Sequence, residues 1–167
     1  MKSWKIYIYN MIARLLPETR CFSLKSAMLR WCGAKIGSNV RINSSAHILG
    51  IGNLEIGNDV WIGNDCIIMP MSPATLKIGN CVDIAPGVYI STGTHEINHG
   101  HDGHSAGIGM NMDIIICDGA WLGACSVVLP NVTIGERAVI GAGALVNRNI
   151  PSHSVAVGIP AKPIRNL

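Results

Sequence analysis

From Ile116 onward an aliphatic residue returns at every sixth position: Ile116, Leu122, Val128, Ile134, Ile140 and Val146. Four residues after each of the first five stands a small or β-branched residue, namely Ala120, Ser126, Val132, Ala138 and Ala144. The same grammar runs earlier through Ile36, Ile42 and Ile48, through Ile56 and Ile62, and through Ile78, Ile84 and Ile90. A period of six matches neither the 3.6-residue turn of an amphipathic helix nor the two-residue alternation of a half-buried strand. It does match a three-sided solenoid in which each face contributes one inward aliphatic residue. Asn-Asp, Pro-Gly, Asp-Gly and Pro-Asn pairs fall between the aliphatic positions, as corners that accept positive φ require. Short strands in a sandwich would not hold six-residue phase over six units.

Composition agrees with thin, repeated layers. Hydrophobic residues make up 49% of the 167, yet only 5% are aromatic and Phe occurs once. The six cysteines (Cys21, Cys32, Cys66, Cys81, Cys117, Cys125) form no CxxC pair and follow no signal peptide, so reduced thiols in a cytoplasmic protein are expected. Charge is uneven. Residues 1–35 carry seven Lys and Arg against Glu18 alone, +6, which leaves −3 for the remainder of a chain whose net charge is +3. No nucleic-acid partner is expected.

Residues 1–33 lack the six-residue phase and read as a helical cap. Ile8, Met11, Ile12, Leu15 and Leu16 can share one side of a helix ending before Pro17, and Leu24 to Trp31 suggests a second. The apolar stretch Trp4–Leu16 is interrupted by Lys5, Asn10 and Arg14 and is too short to span a bilayer. Residues 1–35 also have the composition of a basic amphipathic surface that touches anionic lipid at the inner face of a membrane. Residues 34–157 form the solenoid, and 158–167 a C-terminal tail.

The phase breaks three times. Two extra residues separate Ile48 from Ile56 and four separate Ile68 from Ile78, while the whole span from Ile90 to Ile116 is out of register. Residues 91–115 are rich in Gly and His and are expected to leave the coil as a loop, where a solenoid can place function. His95 stands just where the chain departs, with an anchored backbone and a side chain suited to general-base chemistry. His99, His101 and His104 could approach a metal, but their spacing matches no zinc pattern, and no metal site is assigned.

Trp121-Leu-Gly-Ala, Val132-Thr-Ile-Gly-Glu, Val139-Ile-Gly-Ala-Gly-Ala and Gly158-Ile-Pro-Ala-Lys-Pro resemble the hexapeptide-repeat acyltransferases. The resemblance covers residues 34–167 and implies an all-β, left-handed parallel β-helix with three hexapeptides per coil. It further implies acetyl-CoA as co-substrate and a homotrimer with sites between neighbouring prisms. Gly93-Thr94-His95-Glu96 is similar to the Gly-x-His segment of the sugar O-acetyltransferases, which makes His95 the implied base. Asn64 resembles the acceptor-binding asparagine, and Trp121, outward before Leu122, would wall the substrate groove. For the co-substrate the resemblance implies backbone contacts at Ala124 and Ala142, with the Ala124 N–H as oxyanion donor. Asn147 and Arg148 would lie further along the groove, and Lys162 and Arg165 would reach the nucleotide phosphates. Where the family often has arginine, Lys162 keeps the charge but loses bidentate geometry.

The implied activity is acetyl transfer to a sugar hydroxyl, in surface or capsular polysaccharide synthesis. Serine acetyltransferases carry a long helical amino-terminal domain that 33 residues cannot supply, and an amino-sugar acceptor stays open. A zinc carbonic-anhydrase-like protein would need three histidines at coil positions, and only His47 and His95 lie in phased regions. A non-enzymatic scaffold would have no use for the 26-residue break.

Overall fold

The computed structural model describes residues 1–97 and 103–167. Two helices, α1 (Ser3–Ala13) and α2 (Phe22–Cys32), lead into short strands that wind as a parallel β-helix of five complete coils. The first face stacks Lys35–Ile36, Asn53–Ile56, Thr75–Ile78, Ile114–Ile116 and Val132–Ile134. The second runs from Arg41–Ile42 through Trp61–Ile62, Asp83–Ile84, Trp121–Leu122 and Val139–Ile140 to Ser154–Val157. His47–Ile48, Ile67–Met69, Tyr89–Ser91, Val127–Val128 and Leu145–Val146 make the third.

Strand register turns the six-residue phase into three columns. Ile36, Ile56, Ile78, Ile116 and Ile134 stack in one. Ile42, Ile62, Ile84, Leu122 and Ile140 form the second, and Ile48, Ile68, Ile90, Val128 and Val146 the third. All fifteen are buried, each worth about 1.5–3 kcal/mol on transfer from water. The corners behave as their sequences demand: Asp59, Asp65, Gly87, Gly119 and Asn131 all have φ between 54° and 72°. Three further corners place Cys81, Cys125 and Arg137 in the same left-handed region, at φ of 54°, 57° and 53°. Side-chain type at those corners carried no signal of that conformation.

One edge adds a ladder of side chains. The Oδ1 of Asn58 accepts from the Ser38 N–H at 2.8 Å, that of Asn80 from Asn58 N–H at 2.9 Å, and Asp118 Oδ1 from Asn80 N–H at 2.8 Å. Each side chain thus caps a backbone donor of the preceding coil. A Cβ on Gly57 would stand 2.7 Å from the Asn80 Oδ1 and the Gly79 backbone, which is why glycine follows the aliphatic residue there. Hydrogen bonds from the Asn80 side chain and backbone hold the Asp118 carboxyl below the ordinary aspartate range.

The excursion within residues 91–115 contains an antiparallel hairpin, in which Gly93–Ile97 pairs with Ala106–Asn111 and His95 stands opposite Gly109. The C-terminal tail docks on the prism, where Lys162–Asn166 adds an antiparallel strand to the last strand of the second face. In α1 the buried residues are Ile6, Tyr9 and Ala13, while Met11 and Leu15, expected to share one side of the helix with Ile8, Ile12 and Leu16, are exposed. Asn10 fastens this helix to the first coil, donating to the Ile48 carbonyl at 2.7 Å and accepting from its N–H at 3.1 Å.

Ile84→Ala, at the centre of a column, is expected to cost about 2–5 kcal/mol of stability by urea unfolding. Asn80→Ala removes the acceptor of the Asn58 N–H and the Nδ2 bond to Asp118, and is expected to cost about 1–2 kcal/mol. Because the Asp118 pKa is lowered in the fold, its contribution is present above the unfolded value and disappears as pH falls through the folded one. Acid titration of stability should therefore flatten in Asp118→Ala.

Candidate active site

The hairpin is rooted at the edge between the third and first faces. Thr92, fully buried, takes part in three of the root's hydrogen bonds. Its N–H donates to the Met69 carbonyl at 3.1 Å, its Oγ1 accepts from the Met71 N–H at 2.7 Å, and its carbonyl accepts from the Met112 N–H at 2.8 Å. On the returning strand, Asn111 Nδ2 donates to the Ser72 carbonyl at 2.9 Å. The extra residues between Ile68 and Ile78 thus serve as the bracket against which the hairpin leans.

His95 follows three residues after this root and is exposed. Its Nδ1 lies 3.0 Å from the Gly107 carbonyl oxygen. A carbonyl oxygen only accepts, so in the neutral ring Nδ1 carries the proton and Nε2 keeps its lone pair. The imidazole reaches across Gly109, where a Cβ would come 3.8 Å from His95 Cε1. Gly107 is a site residue that the sequence did not reveal. It lies twelve positions away, and only the hairpin register brings its carbonyl to the ring.

The remaining candidates divide between two edges. Asn64, Ala124 and Ala142 occupy the second, fourth and fifth coils at the edge between the second and third faces, and Trp121 stands on the second face beside them, 53% exposed. Their backbones form one line, in which Gly87 N–H donates to the Asn64 carbonyl and Gly143 N–H to that of Ala124, both at 2.8 Å. Asn64 Oδ1 also accepts from Asn43 Nδ2, so this asparagine is tied to its neighbour coil. Gly123 must be glycine, since a Cβ would stand 2.6 Å from the Ala142 nitrogen. With only methyl groups at Ala124 and Ala142, an extended thiol ester can approach the corner backbone closely.

Asn147 and Arg148, expected further along the groove, lie at the edge between the third and first faces, which also bears the hairpin. Lys162 and Arg165 sit on the terminal antiparallel strand opposite Val157 and Val155. A single chain therefore brings His95 to the edge of Asn147 and Arg148, and leaves Asn64, Ala124 and Ala142 one face away. Among the described residues no group of three His, Cys, Asp or Glu side chains could hold a metal. His99 and His101 lie outside the described residues.

Residues 113–148 match the bacterial transferase hexapeptide family (six repeats). A putative acetyltransferase of Schizosaccharomyces pombe is 40% identical over 115 residues, 69% of this chain and 54% of that protein. The matched segment therefore spans about half the length of that relative, and 56% of similar putative acetyltransferases of Staphylococcus aureus. The galactoside O-acetyltransferase of Escherichia coli K12 is 30% identical over 143 residues, 86% of this chain and 68% of that one. Among solved structures, a maltose O-acetyltransferase from Clostridium difficile covers 99% of this chain, and this chain 86% of it, at a TM-score of 0.68 and 23% identity. AntD, an N-acyltransferase from Bacillus cereus solved with dTDP and 3-hydroxybutyryl-CoA, covers 80% of the chain and is itself covered over 72%, at a TM-score of 0.69 and 20% identity. These two likenesses fix the fold as the left-handed β-helix. With its phased columns, its corner glycines and a match to the Escherichia coli enzyme over 86% of its length, the chain belongs to the hexapeptide-repeat acyltransferase family.

Proposed function

We propose that the protein is an acetyl-CoA-dependent O-acetyltransferase that acylates a sugar hydroxyl, with His95 as general base. The observation that carries this reading is the hydrogen bond between His95 Nδ1 and the Gly107 carbonyl, which leaves Nε2 as the free base on a rigidly rooted arm. Nε2 takes the hydroxyl proton as the oxygen attacks the thioester carbonyl. The Ala124 N–H steadies the oxyanion, and collapse expels the thiolate, which recovers the proton from the imidazolium. Ala124, Ala142, Asn147 and Arg148 line the co-substrate path, Lys162 and Arg165 meet its phosphates, and Asn64 and Trp121 bound the acceptor. The names of the galactoside and maltose enzymes support a saccharide acceptor, and we assign it to surface or capsular polysaccharide synthesis in the cytoplasm.

The reading includes a homotrimer. On the third face the outward residues Ile67, Tyr89, Val127 and Leu145 are apolar and half-buried, a flat column suited to another copy. Packing of neighbouring prisms would also reunite the two edges over which the candidate residues are divided.

His95→Ala is expected to lower kcat by about 10²–10⁴-fold while coenzyme A binding and the molar mass in solution stay unchanged. Release of free thiol from acetyl-CoA, followed over a panel of sugars, sugar nucleotides, amino sugars and serine, checks this. Transfer that survives the substitution would overturn the base assignment. Transfer to serine or to an amine alone would overturn the acceptor. Arg165→Ala is expected to raise KM for acetyl-CoA about five- to tenfold with kcat little changed, as loss of a charge-assisted phosphate contact requires.

A further inference from the structure

Helix α1 already uses one side to hold the prism, through Ile6, Tyr9, Ala13 and Asn10. Its opposite side is apolar as well. Trp4, Tyr7, Met11 and Leu15, at steps of three and four, are 57%, 72%, 51% and 82% exposed. Trp4, Tyr7 and Met11 form one stripe along a helix about 16 Å long, and Leu15, in the turn after Ala13, extends it. The residues flanking the stripe are cations, Lys5 on one side and Arg14 on the other, and the helix contains no acidic residue. Lys5 is held in place, with its Nζ donating to the Trp31 carbonyl at 2.8 Å and lying 4.3 Å from that ring's centroid. Trp4 meets Trp31 edge-on at 5.4 Å, so the stripe widens at one end into an exposed two-indole platform.

From this arrangement we infer that α1 lies flat on an anionic lipid surface, with the stripe in the acyl boundary and the cations among the headgroups. Of the seven cations in residues 1–35, Lys25 is buried and Lys35 pairs with Glu55 at 2.7 Å, which leaves Lys2, Lys5, Arg14, Arg20 and Arg30, while the single carboxylate, Glu18, is turned inward to accept from the Ser45 N–H at 2.9 and 3.1 Å. No free carboxylate in this segment opposes a negative surface. A second copy meeting through the same segment would set these cations against their own counterparts. Apolar stripe, flanking cations and interfacial indoles are the combination that a lipid–water boundary accepts. No helix among the described residues is long and apolar enough to cross a membrane, so the contact is peripheral. It is independent of the acceptor chemistry.

Flotation of the full chain with vesicles of phosphatidylglycerol and phosphatidylcholine, against phosphatidylcholine alone, tests the inference. The chain is expected to float with the mixed vesicles at low salt and to be released as salt rises. Tyr7→Ser/Leu15→Ser is expected to weaken this partition by at least about tenfold, with melting temperature and acetyl transfer to a soluble acceptor unchanged. If that variant melts early, Arg14→Glu serves instead, with the same loss expected. Failure of the wild-type chain to float overturns the inference, as does equal flotation of the variants. A wild-type chain that ignores vesicles but whose molar mass falls on Tyr7→Ser/Leu15→Ser would assign the stripe to a second copy.

Discussion

Every coil of this protein is completed by the coil beside it. Strands of two to four residues cannot stand alone, and their backbone donors and acceptors find partners only across the parallel ladder. The three aliphatic columns exist because that ladder holds equivalent residues in register, and the ladder persists because the columns exclude water from it. Stability is then a sum over neighbours, which leaves the two ends as the exposed steps. The ends are covered differently: α1 and α2 close the first coil, while Lys162–Asn166 closes the last by pairing antiparallel, a direction that does not continue the winding.

The same dependence decides where the chain may depart from the coil. An inserted segment inside a strand would shift every later aliphatic residue off its column. An insertion at a corner shifts nothing, provided the chain returns in phase. Ser91 ends one strand and Ile114 begins the next in register with Leu76, so the whole hairpin is absorbed at one corner. Thr92, buried and with its N–H, hydroxyl and carbonyl all engaged, makes that exit point stiff. For the proposed base, an imidazole three residues beyond a stiff root is better positioned than one on a free loop.

The columns and most corners could be read from residue identities alone, because a six-residue period has one simple geometrical solution and Asn-Asp or Pro-Gly names its own φ. Even the separation of Arg148 from Ala124 was there to be counted. Ala124 follows Leu122 of the second face by two, and Arg148 follows Val146 of the third face by two. The hairpin was hidden for a physical reason: Gly is a poor strand former, and a pairing such as His95 with Gly109 depends on a register that composition does not encode. The contact between His95 and the Gly107 carbonyl inherits that blindness. The packing face of α1 was hidden because both sides of the helix are apolar, so periodicity could not choose Ile6, Tyr9 and Ala13 over Trp4, Tyr7 and Met11.

The division of the candidate residues between two edges bears on the chemistry itself. A base must come within hydrogen-bond reach of the hydroxyl it deprotonates, yet His95 and the Ala124 corner are separated by a full face of the prism. Within one chain the hairpin is rooted at Thr92, across that face from Ala124. In the proposed assembly the gap needs no motion. The hairpin edge of one prism faces the alanine edge of the next, so the step that buries the third face also builds the site. A monomer would then keep its fold and its coenzyme contacts but hold its base away from the thioester, which makes catalysis a property of the contact between copies rather than of the coil.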